Sequence, residues 1–279
     1  MTFEYFDVHS HIYFPDFDKD REEEIEKIKK EKIGTITIGT DFESSQKAIE
    51  IAEKHKNFFA CIGQHPGDLK EDSVFDERLI DLADNKKVVA IGECGLDYFR
   101  MPARAGGDPN DTELKTIQKS IFEYHIDLAI SKQKPLMLHI RSSKGTMDAY
   151  SDALDILEHH AKTSGDALKG NAHFFAGDLD VLKRFLEIGF TASFTGVITF
   201  TSDYDELIKY IPIDRILSET DAPFVAPVPH RGKRNSPLYV KEVVKRMAEI
   251  KGVDEEVLKK ALIDNTLRVF PGVQSKSNG

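Results

Sequence analysis

Cysteine is scarce in this 279-residue chain, limited to Cys61 and Cys94. Both sit in apolar, strand-like stretches without metal-motif spacing, so they read as reduced, buried thiols of a cytosolic protein rather than as a disulfide. No run of about 18 apolar residues occurs, which leaves no candidate membrane span. The N-terminus has no basic region followed by an apolar core, so no secretory leader is expected. Positive charge is also in deficit. A formal net charge of −10 argues against a general nucleic-acid coat protein, which is normally basic. It leaves room for an enzyme with a local cationic mouth, because bound metal ions carry their own charge. There is no internal repeat and no low-complexity tract. No G-x-G-x-x-G follows the first strand-like run, which removes the commonest cofactor signature of a doubly wound open sheet, the competing fold.

What is present is alternation. The chain is 40% hydrophobic and 31% charged, enough for a sizeable core under a soluble surface. Short β-branched or apolar runs at Tyr5–Val8, Ile33–Ile38, Phe58–Ile62, Val88–Ile91, Leu136–Leu138, Gly170–Ala172, Phe190–Phe194 and Arg215–Leu217 predict eight strands. Amphipathic stretches at Arg21–Glu31, Glu43–His55, Glu113–Gln133, Met147–Thr163, Leu179–Ile188, Asp203–Tyr210 and Asp254–Asp264 predict helices. Such βα alternation indicates parallel strands, and eight of them fit a single α/β domain over residues 1–279, a (β/α)8 TIM barrel with its core at about 5–270. The Gly- and Pro-containing stretch Met101–Pro109 reads as a loop inserted after the fourth strand.

The polar residues cluster at predicted strand ends, where barrel enzymes place their sites. His9 and His11 lie two apart on the first strand, so both imidazoles project from one face. Glu93 follows the fourth strand, His139 and Arg141 end the fifth, His173 ends the sixth, and Glu219 and Asp221 end the eighth. Singly, each has a plain structural reading: a strand-end histidine is more often hydrogen-bonded than metal-bound, and a lone carboxylate more often caps a helix. Jointly they are enough for two metals. His9, His11 and Asp221 would hold one ion and His139 and His173 the other, with Glu93 between them. Two ions roughly 3.5–4 Å apart activate a water and clamp both oxygens of an in-line phosphoryl displacement.

These stretches resemble a known family. His9-Ser10-His11, Gly92-Glu93-Cys94-Gly95-Leu96-Asp97-Tyr98, His139-Ile140-Arg141, His173-Phe174-Phe175-Ala176-Gly177, Glu219-Thr220-Asp221-Ala222-Pro223-Phe224 and Arg231-Gly232-Lys233-Arg234-Asn235-Ser236-Pro237 are similar to the motifs of TatD-type metal-dependent deoxyribonucleases. These belong to the amidohydrolase-like barrels. The resemblance implies a divalent-metal nuclease, often a 3′→5′ exonuclease on DNA, and the same ligand set. Glu93 stands where some barrel relatives carry a carbamylated lysine, so no such modification is needed. Two departures stand out: Phe174 replaces the small or thiol residue frequent there, and the Met101–Asp111 loop is longer than usual.

On this reading Asp221 binds metal and accepts a proton from the attacking water, while Glu93 bridges; the plainer role for Asp221 is a ligand alone. Glu219 orients a ligand histidine or forms a plain salt bridge. His65 donates to a phosphoryl oxygen or is a turn residue before Pro66. Arg141 grips phosphate. Arg231, Lys233 and Arg234 form a basic rim for nucleic acid, or a solvated charge run. Tyr98 stacks on a terminal base or packs in the core. His55, His125, His159 and His160 read as surface residues of helices, and His230 is undecided. Imidazole-rich sites favour zinc, manganese or nickel as bound ions, whereas the resemblance implies turnover with magnesium or manganese. The expected partner is DNA, as short or single-stranded ends met weakly and in a salt-sensitive manner; no membrane and no obligatory protein partner is indicated. Two other functions stay open: an amidohydrolase or esterase, aminoacyl-tRNA esters included, and a metal-binding scaffold without turnover.

Overall fold

A computed structural model describes residues 2–99 and 112–274 of the chain. Eight parallel strands run in sequence order around one sheet: β1 (Tyr5–Ser10), β2 (Ile33–Ile38), β3 (Phe58–Ile62), β4 (Val88–Asp97), β5 (Leu136–Arg141), β6 (Gly170–Ala172), β7 (Thr191–Phe194) and β8 (Ile216–Ser218). The sheet curls into a nearly closed (β/α)8 barrel. Between strands lie α1 (Arg21–Lys30), α2 (Phe42–Lys54), α3 (Arg78–Leu82), α4 (Thr112–Ser131), α5 (Asp148–Ser164), α6 (Leu179–Glu187) and α7 (Asp205–Tyr210), with α8 (Val240–Lys251) and α9 (Glu255–Val269) after the last strand. The seam between β8 and β1 closes through residues beyond β8: His11 N–H donates to Ala222 O at 2.7 Å and Asp221 N–H to His9 O at 2.9 Å.

Alternate residues on the strands feed two apolar layers. Leu136 and Leu138 pack outward with helix residues such as Phe122 and Ile126. Met137 belongs to an inner cluster with Phe6, Val8, Ile36, Phe59 and Val89, joined by Val269 and Phe270 from the C-terminal end. Helix starts are fixed locally. Asp41 and Ser44 form a reciprocal capping box on α2, and Asp178 and Asp254 accept the first free N–H groups of α6 and α9.

The predicted strands all exist, and the differences have physical causes. β4 runs on to Asp97 instead of ending at Ile91, because Gly92 and Gly95 sustain the strand rather than break it. Both have positive φ, and a Cβ on either would strike the carbonyl of Met137 or His139 on the neighbouring strand. α8 was not among the expected helices. Its valines favour strands by propensity, yet Val240, Val243, Val244, Met247 and Ala248 have helical spacing and are buried, so packing overrides propensity. The expected Met101–Asp111 loop lies outside the described residues.

His125 corrects an expectation. It is not a surface residue but fully buried on α4. Its Nδ1 donates to Ile121 O at 2.8 Å and its Nε2 accepts from Gln64 N–H at 3.0 Å. Both nitrogens of a neutral ring are thus satisfied, and the ring anchors the turn that carries His65. Burial lowers its pKa from 6.5 to about 4. The folded state therefore binds fewer protons than the unfolded state between those values, and stability falls as pH drops through that window. In metal-stripped protein, urea unfolding is expected to lose on the order of 3 kcal/mol from this ring between pH 6.5 and pH 4. His125→Asn should lack that component; equal pH slopes for the two proteins would contradict it.

Candidate metal centre

At the C-terminal end of the barrel a cavity of about 710 Å³ opens, lined by His11, His65, Glu93, His139, Arg141, His173 and Asp221 among others. Its floor is built by β4. The β4–β5 register shifts between Ile91 and Cys94, so Glu93 occupies an irregularity that turns its carboxylate inward. Glu93 is 3% exposed. Its Oε2 lies 3.5 Å from His9 Nε2 and 3.8 Å from His11 Nε2. Its Oε1 lies 2.8 Å from His139 Nδ1, 3.6 Å from His65 Nε2 and 3.7 Å from His173 Nε2. One carboxylate thus faces two histidine groups, one on each oxygen. Asp221 Oδ1 closes the first group, 3.8 Å from His9 Nε2 and 3.5 Å from His11 Nε2. His173 sits between the groups. Its ring stacks on His9 at 3.4 Å, and it shares one possible ligand set with His9 and Asp221.

Acceptors behind the rings fix their tautomers. His11 Nδ1 lies 2.9 Å from Ile38 O. A carbonyl only accepts, so the proton sits on Nδ1 and the Nε2 lone pair points inward. His173 Nδ1 is 3.0 Å from Glu219 Oε2, close enough for a charge pair although bent away from good hydrogen-bond alignment. Glu219 is held in turn by Phe174 N–H at 2.6 Å and Ser193 Oγ at 2.7 Å. His139 Nε2 is 3.0 Å from Asp97 Oδ2, which leaves its Nδ1 toward Glu93. These carboxylate–histidine pairs are the usual outer support of metal ligands. His9 Nδ1 is buried with no hydrogen-bond partner among the described residues. The ring is located instead by its backbone: His9 N–H donates to Asp7 Oδ1 at 3.2 Å, and Asp7 also accepts from Thr220 N–H and Oγ1–H at 2.8 and 2.6 Å.

His65 differs. Its Nδ1 accepts from Gly67 N–H at 3.0 Å, so a neutral ring carries its proton on Nε2. That N–H, not a lone pair, faces Glu93.

The electrostatics follow from burial and charge. Burial disfavours the Glu93 carboxylate, but His65, His9 and His139 outweigh it and hold its pKa well below the usual range. Asp221 is likewise lowered against burial, by His11, His173 and His9. Burial and the neighbouring His173 lower His9. Burial also opposes charge on His173, yet Glu219 and Glu93 lift it to about 9. His139 is raised against burial by Asp97 and Glu93. Two ionised carboxylates are thus buried among inward-facing imidazoles, and among the described residues neither is paired with lysine or arginine. Such a donor set fits divalent cations that accept both nitrogen and oxygen ligands.

The other expected contacts divide. Arg141 and His65 line the cavity; the Arg141 guanidinium lies 4.0 Å over the Phe99 ring. Tyr98 does not stack at the site: it is 4% exposed, under Lys115, with its hydroxyl donating to Asp152 at 2.9 Å. Arg234 is held by Asp20 through two bonds of 2.6 and 2.7 Å and covers Phe17. Arg231 is exposed over Phe200, and Lys233 is exposed in the same loop. None of these three is among the residues lining the cavity. Asp97 and Asp7 carry supporting roles that sequence reasoning missed. The available signals were a carboxylate near the end of β4 and one two residues before His9 in an apolar strand.

Fold and site together define a metal-dependent hydrolase on a parallel eight-stranded barrel. The model of the family described as TatD related DNase matches residues 6–271. The chain is 37% identical over 269 residues to the uncharacterized metal-dependent hydrolase YabD of Bacillus subtilis (strain 168), covering 95% of this chain and 98% of YabD. It is 37% identical over 223 residues to YcfH of Escherichia coli (strain K12), covering 79% and 76% of the two chains. The crystal structure of YJJV, a TatD homolog from Escherichia coli K12, superposes with a TM-score of 0.82 at 25% identity over 97% of this chain and 99% of that one. The chain belongs to the TatD-related DNase family.

If Glu219 orients His173, Glu219→Gln should weaken divalent-metal affinity roughly 10–100-fold, read by competition with a chromogenic chelator. Unchanged affinity would reduce Glu219 to a packing role.

Proposed function

We propose that this protein is a deoxyribonuclease that removes nucleotides from single-stranded 3′ ends. His9, His11 and Asp221 would hold one cation and His139 and His173 a second, with the Glu93 carboxylate between the two groups available to both. Zinc, manganese or nickel suits the imidazoles as isolated, and magnesium or manganese supports turnover. When bound, the ions lower the pKa of water and neutralise charge on phosphoryl oxygens.

The observation that carries the reading is the company the cluster keeps. His65 presents a fixed Nε2–H and Arg141 a guanidinium, both lining the same cavity as Glu93. A carbonyl in hydrolysis develops one oxyanion, whereas a phosphodiester brings two non-bridging oxygens that need donors. Asp221, ionised and at the inner edge of the cavity, accepts the proton of the attacking water. His65 donates to a phosphoryl oxygen, and Arg141 holds a neighbouring phosphate with a bidentate grip. Arg231 and Lys233 supply long-range attraction at the rim, which a net charge of −10 makes weak and salt-sensitive.

End-labelled single-stranded DNA with magnesium or manganese should shorten from the 3′ end, and EDTA should stop it. Asp221→Asn is expected to lose roughly 10²–10⁴-fold in rate, the scale of a general base. DNA left intact by a metal-loaded wild type would refute the reading and favour an amide or ester substrate.

A further inference from the structure

Four aromatic rings line the cavity, Phe14, Phe174, Tyr204 and Phe224, and of these Phe224 alone is exposed. Phe224 lies three residues beyond Asp221 and is 48% exposed, yet its backbone is pinned. Its N–H donates to Asp221 O at 2.8 Å, and its carbonyl accepts from the buried Asn235 Nδ2 at 2.5 Å. The same Asn235 amide donates to Thr220 O at 2.8 Å, so the turn bearing Asp221 and the turn bearing Phe224 are one rigid unit. The ring packs edge-to-face on Phe14 at 5.8 Å, and Phe14 lies 4.9 Å from the His11 ring. Phe224 itself is 6.3 Å from His11. A half-exposed phenylalanine is common on surfaces. One locked in place beside the inner histidine group, lining a cavity of nucleotide size, is a different object. The other three rings are half-buried and packed on neighbours: Phe14 on His11, Phe174 on His173 and Tyr204 on Phe194.

We propose that Phe224, braced by Phe14, is the stacking platform for the terminal nucleobase, so the site selects an unpaired nucleotide end over a duplex end. The inference rests on the nuclease reading. Every base offers a π-face, so such a platform binds without reading sequence, and it is denied a base that is paired and stacked within a duplex.

The test compares wild type, Phe224→Ala and Phe224→Tyr on short single strands whose 3′-terminal nucleotide either carries a base or is abasic. Phe224→Ala is expected to raise KM on the base-bearing strand by roughly ten-fold or more, the scale of one base–aromatic stack. Phe224→Tyr should restore it, and the abasic strand should bind wild type and Phe224→Ala equally poorly. Equilibrium binding should agree: a terminal 2-aminopurine is quenched by Asp221→Asn protein and not by the Asp221→Asn, Phe224→Ala double variant. An unchanged KM in Phe224→Ala overturns the proposal. So does an equal loss on both strands, which would make Phe224 a support for His11. A metal-loaded wild type that cleaves neither strand overturns the nuclease reading, and this inference with it.

Discussion

The structure turns on one buried carboxylate. Glu93 sits at the floor of the barrel mouth with imidazoles from β1, β5 and the segments after β3 and β6 directed at its two oxygens. Burying an ionised group costs several kcal/mol unless charge and hydrogen bonds compensate. Here compensation comes from rings that are themselves buried, so the arrangement is favourable only if each ring is oriented and the net charge is neutralised. Asp97, Glu219 and the Ile38 carbonyl meet the first condition. Divalent cations would meet the second. The β4 irregularity and its two strand glycines exist to bring Glu93 to that point.

The same outer contacts sort histidines by chemistry. Those whose outer nitrogen meets an acceptor, such as His11, expose a lone pair and are ready to bind a cation. His65, whose outer nitrogen accepts from the Gly67 N–H, turns the Nε2–H of a neutral ring toward Glu93, 3.6 Å away. His11 and His65 thereby turn opposite faces toward one carboxylate without any difference in residue type. Asp7 adds the link across the barrel seam. By joining the His9 backbone to Thr220, it sets β1 beside the Asp221 turn and brings ligands from opposite ends of the sequence together.

Much of this was legible in the sequence, because short apolar runs and strand-end polar residues are local patterns. His9-x-His11 and the placement of His139, His173 and Asp221 needed only the barrel rule to converge. What was not legible depended on partners distant in sequence. His125 on an amphipathic helix looks like a surface residue until Gln64 is found against its ring. Tyr98 and Phe99 are adjacent aromatics, and only the fold decides that the first is buried under Lys115. Arg234 looks like a phosphate ligand until Asp20 is seen across from it. The Asp97–His139 pair follows from the parallel register, which places Gly95 opposite His139 and Asp97 opposite Arg141.

On the proposed function, two cations would share the Glu93 carboxylate, each held by its own histidine group. Anomalous diffraction from a crystal of the manganese-loaded protein tests it most directly. Two peaks are predicted, one on the Oε2 side of Glu93 beside His9, His11 and Asp221, the other on the Oε1 side beside His139 and His173. A single peak at saturating manganese, or a peak whose ligands omit Glu93, would contradict two-cation binding.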